Sequence, residues 1–286
     1  MNILITGSNG QLGSELKSLS GLFNGFSFFF TDVDELDITN TNAVEAFIAD
    51  NEIDVVVNCA AYTAVDRAEE EQQKAHRINV EAVRNLALAC NNRDALLVQI
   101  STDYVFNGKN YKPYVETDFT NPQSVYARTK LDAENMVEEF ASRGIVIRTS
   151  WLYSSYGHNF VKTMLKYGRE RDSLNVVFDQ IGTPTYAKEL ASAILKIINE
   201  TAEYQGVDVF HFSNEGVCSW YDFAVAIMEE SGINCQINPI LTKDYPLPAP
   251  RPFYSVLDKS KIKDKFALTI PHWRESLKEC LKKINN

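Results

Sequence analysis

The sequence predicts an α/β protein, a doubly wound parallel sheet joined to a smaller, discontinuous α/β substrate-binding domain. Two observations carry that prediction. Short runs rich in Val, Ile, Leu and Phe alternate with stretches whose apolar residues recur at helical spacing. Beyond Trp151 this alternation loosens into an irregular mix of prolines, aromatic residues and short apolar runs.

Residues 2–6, 26–31, 54–58, 95–100 and 145–149 read as strands, and their Val, Leu and Ile content fits burial on both faces. Between them, 11–18, 42–51, 67–91 and 124–142 read as helices. A helix over 159–166, a strand-like run over 174–178 and a helix over 188–199 follow. Residues 207–212 are expected to return to the parallel sheet. The remainder holds an aromatic-rich helix over 219–230, a proline-rich segment over 245–252 and a terminal helix over 272–283. One domain is therefore expected over 1–150, with roughly 182–213 returning to it. A second, over 151–181 and 214–286, is expected to close over the carboxyl ends of the strands, where open α/β sheets bind ligands.

With 286 residues and 45% hydrophobic composition the chain can bury one large core or two modest ones. Its longest apolar run, 26–30, is far short of the roughly 20 residues that cross a bilayer. Ile3-Leu4-Ile5 runs straight into a glycine turn, so no leader is expected. The expected location is the cytoplasm. Five cysteines and four histidines are scattered without paired or metal-ligand spacing. Cys59 and Cys90 read as buried thiols, and no disulfide framework or metal is expected. A net charge of −10 argues against nucleic-acid or membrane-surface binding. Any phosphate-bearing ligand must then be held by dedicated cations or backbone N–H groups.

The first strand leads into Gly7-Ser8-Asn9-Gly10-Gln11-Leu12-Gly13 and then a helix. Glycine permits the tight turn and close backbone approach, and the helix N-terminus adds open donors and partial positive charge. This strand–glycine turn–helix order is the setting of a Rossmann-like dinucleotide site. Asp32, at the end of the second strand, is placed to accept from ribose hydroxyls. It would repel a 2′-phosphate, and no Arg or Lys lies near it in sequence, which leans toward NADH. Asp37-Ile38 reads as an adenine contact, with a helix cap as the plain alternative.

Tyr126-Ala127-Arg128-Thr129-Lys130 is the most informative segment. At i and i+4 on a helix, the phenol and the ammonium share one face. A nearby cation favours the phenolate, which would bring the tyrosine pKa toward a range useful for donating a proton to a carbonyl oxygen. Ser101-Thr102-Asp103-Tyr104 follows the fourth strand at the ligand-binding end, and a hydroxyl there can bond the same oxygen; a simple turn is the alternative.

Together these segments resemble the extended short-chain dehydrogenases/reductases. The resemblance runs over nearly the whole chain. Beside the glycine and Tyr/Lys motifs it rests on Val57 through Asp66, Ser101-Thr102-Asp103-Tyr104-Val105-Phe106, Arg148-Thr149-Ser150-Trp151 and Asp179 through Thr185. It implies a catalytic trio of Thr102, Tyr126 and Lys130. It implies cofactor contacts from Gly7, Gly10, Gln11, Leu12, Asp32, Asp37, Ile38, Ala61, Tyr62 and Thr63, besides Tyr126 and Lys130. Thr102, Asp103 and Trp151 would contact a sugar nucleotide. Trp151 suits sugar stacking, and Arg251, on a proline-stiffened loop, suits a diphosphate or is a solvated charge. The implied reaction is reduction of the C4 ketone of a dTDP-4-keto-6-deoxy-L-hexose with NADPH or NADH. Some relatives form metal-linked homodimers, for which Glu15 and Glu189 are the candidate carboxylates; both read here as solvated helix positions.

Two alternatives stay open. One is another sugar-nucleotide enzyme, an epimerase or a 4,6-dehydratase. Similar dehydratases carry Thr-Asp-Glu, whereas Tyr104 follows Thr102-Asp103 here. The other is a non-catalytic NADP-binding regulatory subunit, like the β subunit of methionine adenosyltransferase.

Overall fold

The computed structural model describes residues 1–201 and 204–285. Five strands of the first half are β1 (Asn2–Thr6), β2 (Ser27–Phe30), β3 (Val55–Asn58), β4 (Leu96–Thr102) and β5 (Arg143–Thr149). Gly206–His211 joins them as the sixth strand, beside β5. The order across the sheet is Gly206–His211, β5, β4, β3, β1, β2, with every pair parallel. The chain winds from β1 out to β2, then crosses to β3 on β1's other side. That reversal opens a crevice at the carboxyl ends of β1 and β3.

Alternation along the strands supplies two apolar faces. Ile3, Ile5, Val55 and Val57 pack against Leu12 and Leu16 of α1 (Gln11–Leu19) and against Leu190 and Ile194 of the helix Ala187–Asn199. Leu4, Val56, Leu97 and Val146 face Val44 and Ile48 of α2 (Thr41–Asp50), together with Leu86 and Val137. The last two belong to the helices Ala82–Asn91 and Val125–Phe140. The sheet is thus covered on both sides by helices. The Rossmann-like architecture expected from the sequence is what the chain adopts.

A third apolar cluster is built around Tyr153, Tyr186, Phe223 and Leu277. Beside it Ser173–Val177 and Gln236–Ile240 pair in parallel, and the helix Trp220–Ser231 lies between them in sequence. Ser219 caps that helix in a reciprocal arrangement with Asp222. The strand at 236–240 and the helix Ser260–Phe266 carry too little pattern to be read from the sequence.

The helix expected over 67–91 is broken. The interruption falls at residues 69–71, after the short helix Val65–Ala68; from Gln72 the chain stays helical to Asn91, passing through a wide π turn over Arg77–Glu81. Buried Asn79 in the wide turn accepts from the Tyr62 N–H at 2.8 Å and donates to the Thr129 hydroxyl at 2.9 Å. These bonds tie the wide turn to the segment after β3 and to the helix Val125–Phe140. Among the described residues no helix is long and apolar enough to cross a membrane.

Candidate active site

Two adjoining cavities open at the crevice, of about 590 Å³ and about 500 Å³. Both are lined by Gly7, Gly10, Cys59, Ala60 and Ala61, so the glycine turn is their shared wall. The larger also takes in Gln11, Leu12, Thr63, Thr102, Asp103, Tyr126, Lys130 and Trp151. Asp32, Asp37 and Ile38 line the smaller.

The turn fits a dinucleotide. Gly7 has φ +61°, and a Cβ there would lie 2.6 Å from the Ala60 nitrogen. No side chain caps α1, so its first N–H groups remain available to an anion. Asp32 accepts from the Asn9 N–H at 3.0 Å, which ties the turn to the end of β2. Asp37 does not cap α2; Asn40 does. The Asp37 carboxylate accepts instead from the Thr39 hydroxyl and N–H, and those bonds hold its pKa below the ordinary value.

The catalytic candidates converge. Ser124 caps Val125–Phe140 by accepting from the Ala127 N–H, and Glu69 accepts from the Val125 N–H at 2.8 Å. These bonds fix the first turn, where Tyr126 lies, and Lys130 follows one turn later. β4 runs two residues beyond its expected end and so delivers Thr102 to the cleft. The Thr102 hydroxyl accepts from the Tyr104 N–H and donates to Asp103 Oδ1 at 2.9 Å. Tyr104 and Tyr126 meet edge to face, 5.8 Å between ring centroids.

The electrostatics differ from the expectation. Burial pushes the Tyr126 phenol up to about 12, against a lowering by the Thr102 hydrogen bond. Burial also brings the Lys130 ammonium down to about 8, although the Glu134 carboxylate acts to raise it. The ammonium donates to the Ile100 carbonyl at 2.6 Å. In this geometry desolvation outweighs the phenolate stabilisation anticipated from Lys130. Asp103 is raised to about 7, again mainly by burial, and its Oδ2 has no hydrogen-bond partner.

Beneath the trio is a buried ion pair. Arg148 donates to Glu134 at 2.7 Å, with both side chains almost fully buried. The Ser101 hydroxyl also donates to Glu134.

Trp151 is part of the cleft wall, at φ +48°. It stacks on Trp220 with 3.6 Å between ring centroids. A Cβ at Gly182 would lie 2.7 Å from the Trp151 ring, so only glycine lets the strand pass behind the indole. Trp220 and Asn159 also line the cleft, and sequence reading did not single them out. Asn159 caps the helix Phe160–Glu170 and its Nδ2 donates to Gln11 Oε1 at 3.0 Å, joining the third cluster to the glycine turn.

Other candidates lie elsewhere. The Tyr62 side chain turns away from both cavities and donates to Glu71 at 3.1 Å. Arg251 lines a smaller neighbouring cavity of about 120 Å³. Its guanidinium grips both oxygens of Asp66 at 2.6 Å. Cys59 is only half-buried and faces the cleft, unlike Cys90. Glu15, expected in solvent, is fully buried. It accepts from Ser154 at 2.6 Å and from Lys283 at 2.9 Å. Glu189 is half-buried and bonded to Asn214 and Ser276.

The family profile described as "RmlD substrate binding domain" matches residues 1–286. The dTDP-4-dehydrorhamnose reductase of Aggregatibacter actinomycetemcomitans is 40% identical, covering 96% of this chain and 97% of its own. A dTDP-4-dehydrorhamnose reductase crystal structure from Clostridium acetobutylicum superposes with TM-score 0.95 at 45% identity, over 100% of both chains. The Bacillus anthracis dTDP-4-dehydrorhamnose reductase, solved in complex with NADP, gives TM-score 0.94 at 37% identity over 99% of each chain. The chain belongs to the dTDP-4-dehydrorhamnose reductase family.

Proposed function

We propose that this protein reduces the C4 ketone of dTDP-4-dehydro-L-rhamnose to dTDP-L-rhamnose, using NADPH or NADH. The observation that carries the reading is the convergence of Thr102, Tyr126 and Lys130 on one cleft whose other wall is the glycine turn.

The bound nicotinamide supplies the hydride that reaches C4. Tyr126 donates the proton to the ketone oxygen. A phenol raised to about 12 is fully protonated at neutral pH and so ready as a donor. Thr102 donates a hydrogen bond to the same oxygen, which aligns it with the phenol. Lys130 holds the nicotinamide ribose and, as an ammonium, offsets negative charge growing on Tyr126 as its proton leaves. Asp103 bonds a sugar hydroxyl, while Trp151 provides an apolar wall for the sugar ring. Arg251 exchanges Asp66 for the diphosphate, whose paired oxygens offer the same bidentate acceptor.

Residues 1–150 with 182–213 form the dinucleotide-binding domain in this reading, and 151–181 with 214–286 the sugar-nucleotide domain. The protein acts in the cytoplasm.

Incubating the purified chain with NADPH or NADH and dTDP-4-dehydro-L-rhamnose tests the assignment. The expected result is stoichiometric loss of nicotinamide absorbance with formation of dTDP-L-rhamnose. Cofactor binding without turnover would instead identify a regulatory, non-catalytic protein.

A further inference from the structure

The smaller cavity brings two cations to the carboxylates of the dinucleotide site. Lys74 and Arg77 line it together with Asp32 and Asp37. They are three residues apart and leave the same side of their helical segment. Both are distant from Asp32 in sequence, which is why the sequence lean toward NADH overlooked them. Asp32 is itself partly satisfied, accepting from the N–H groups of Asn9 at 3.0 Å and Val33 at 2.8 Å. Lys74 lies 3.4 Å from the Glu71 carboxylate. Arg77 has a neutral acceptor, donating from Nη2 to the Thr39 hydroxyl at 2.9 Å. That leaves most of its planar fork of five donors uncommitted among the described residues.

We propose that Arg77, assisted by Lys74, binds the 2′-phosphate of NADPH. The inference rests on the dinucleotide reading of this cleft and adds the group that admits the phosphorylated cofactor. The chain as a whole carries −10, and a dianionic phosphate beside Asp32 requires local compensation. A guanidinium supplies it with two parallel N–H donors in the geometry a phosphate accepts. NADH lacks only that phosphate, so it neither gains from Arg77 nor needs it.

The test is equilibrium binding of NADPH and NADH, followed by nicotinamide fluorescence in the absence of sugar substrate. Arg77→Ala is expected to raise the NADPH Kd about 10- to 100-fold, the value of a charge-assisted contact, while the NADH Kd changes less than about threefold. Arg77→Lys should recover part of the loss, and Lys74→Ala should show a smaller one in the same direction. Affinity for NADPH should also fall more steeply with salt than affinity for NADH in wild type, and that difference should shrink in Arg77→Ala. Equal weakening for both cofactors would show that Arg77 stacks on the adenine, and an unchanged NADPH Kd would show that it touches nothing; either overturns the proposal. Failure of wild type to bind either cofactor would instead sink the dinucleotide reading beneath it.

Discussion

The Lys130 ammonium donates to the carbonyl of Ile100 at 2.6 Å, which ties the helix Val125–Phe140 to the last residues of β4. Ile100 precedes Thr102 by two residues. The same contact therefore joins the helix that carries Tyr126 to the strand end that carries Thr102. Burial brings the ammonium down to about 8 from its ordinary 10.5. The charged form is thus present below about pH 8 and lost above it. NADPH affinity should weaken as pH rises through that value, by up to about tenfold per unit. In Lys130→Met it should be weaker at pH 7 and flat across the window. Titration calorimetry at a series of pH values checks both.

Thr102→Val keeps the shape at the end of β4 and removes the hydroxyl that meets both Tyr126 and Asp103. Turnover should fall about 10²-fold or more, the usual cost of one donor to a developing oxyanion, with cofactor affinity unchanged. Steady-state kinetics beside direct cofactor binding separates the two. A variant with near-normal kcat would remove Thr102 from the trio.

Asp103 gives a stability prediction with a definite sign. Its native pKa is about 7 against an ordinary 3.8, so between those values the native state holds a proton that the unfolded chain has released. Stability must fall as pH rises through that window, by at most about 1.4 kcal/mol per unit. Asp103→Asn cannot ionise and lacks the slope. Thermal unfolding from pH 4 to 7 should show wild type losing ground steadily against the variant, with the difference levelling off above about pH 7.

Glu134 accepts from Arg148 and Ser101 directly beneath Lys130. Glu134→Leu strands the Arg148 guanidinium in a buried setting and should cost about 3–5 kcal/mol. Urea unfolding at pH 7 measures it. The double variant Glu134→Leu/Arg148→Met should recover much of that loss, since no buried charge then remains unpaired.

Part of this site was legible because its signals are local. The glycine turn follows a strand, Thr102 ends another, and Tyr126 and Lys130 share a helix face one turn apart; each lies where local order alone puts it, at the carboxyl end of a strand or on one side of a helix. Other features depend on segments that meet only after folding. Trp220 is one of several aromatic residues on its helix, and its stacking on Trp151 brings together segments about seventy residues apart in the chain. Arg77 opens the wide turn within the helical run 72–91, and no local signal in the sequence marks that turn or brings it to Asp32. Glu15 reads as solvated until Ser154 and Lys283 are brought to it by the fold. The pKa of Tyr126 was misjudged for a related reason. Spacing shows that a cation is near, but it does not reveal how completely both groups are desolvated.

Tyr126→Phe, compared with wild type for NADPH oxidation in the presence of dTDP-4-dehydro-L-rhamnose, is the most direct test of the mechanism. In the proposed mechanism the phenol is the proton donor, so kcat should drop by about 10²–10⁴ while the NADPH Kd stays within about threefold. Turnover close to wild type in that variant would contradict the assignment of the proton donor, and with it the account of how the cleft reduces a ketone.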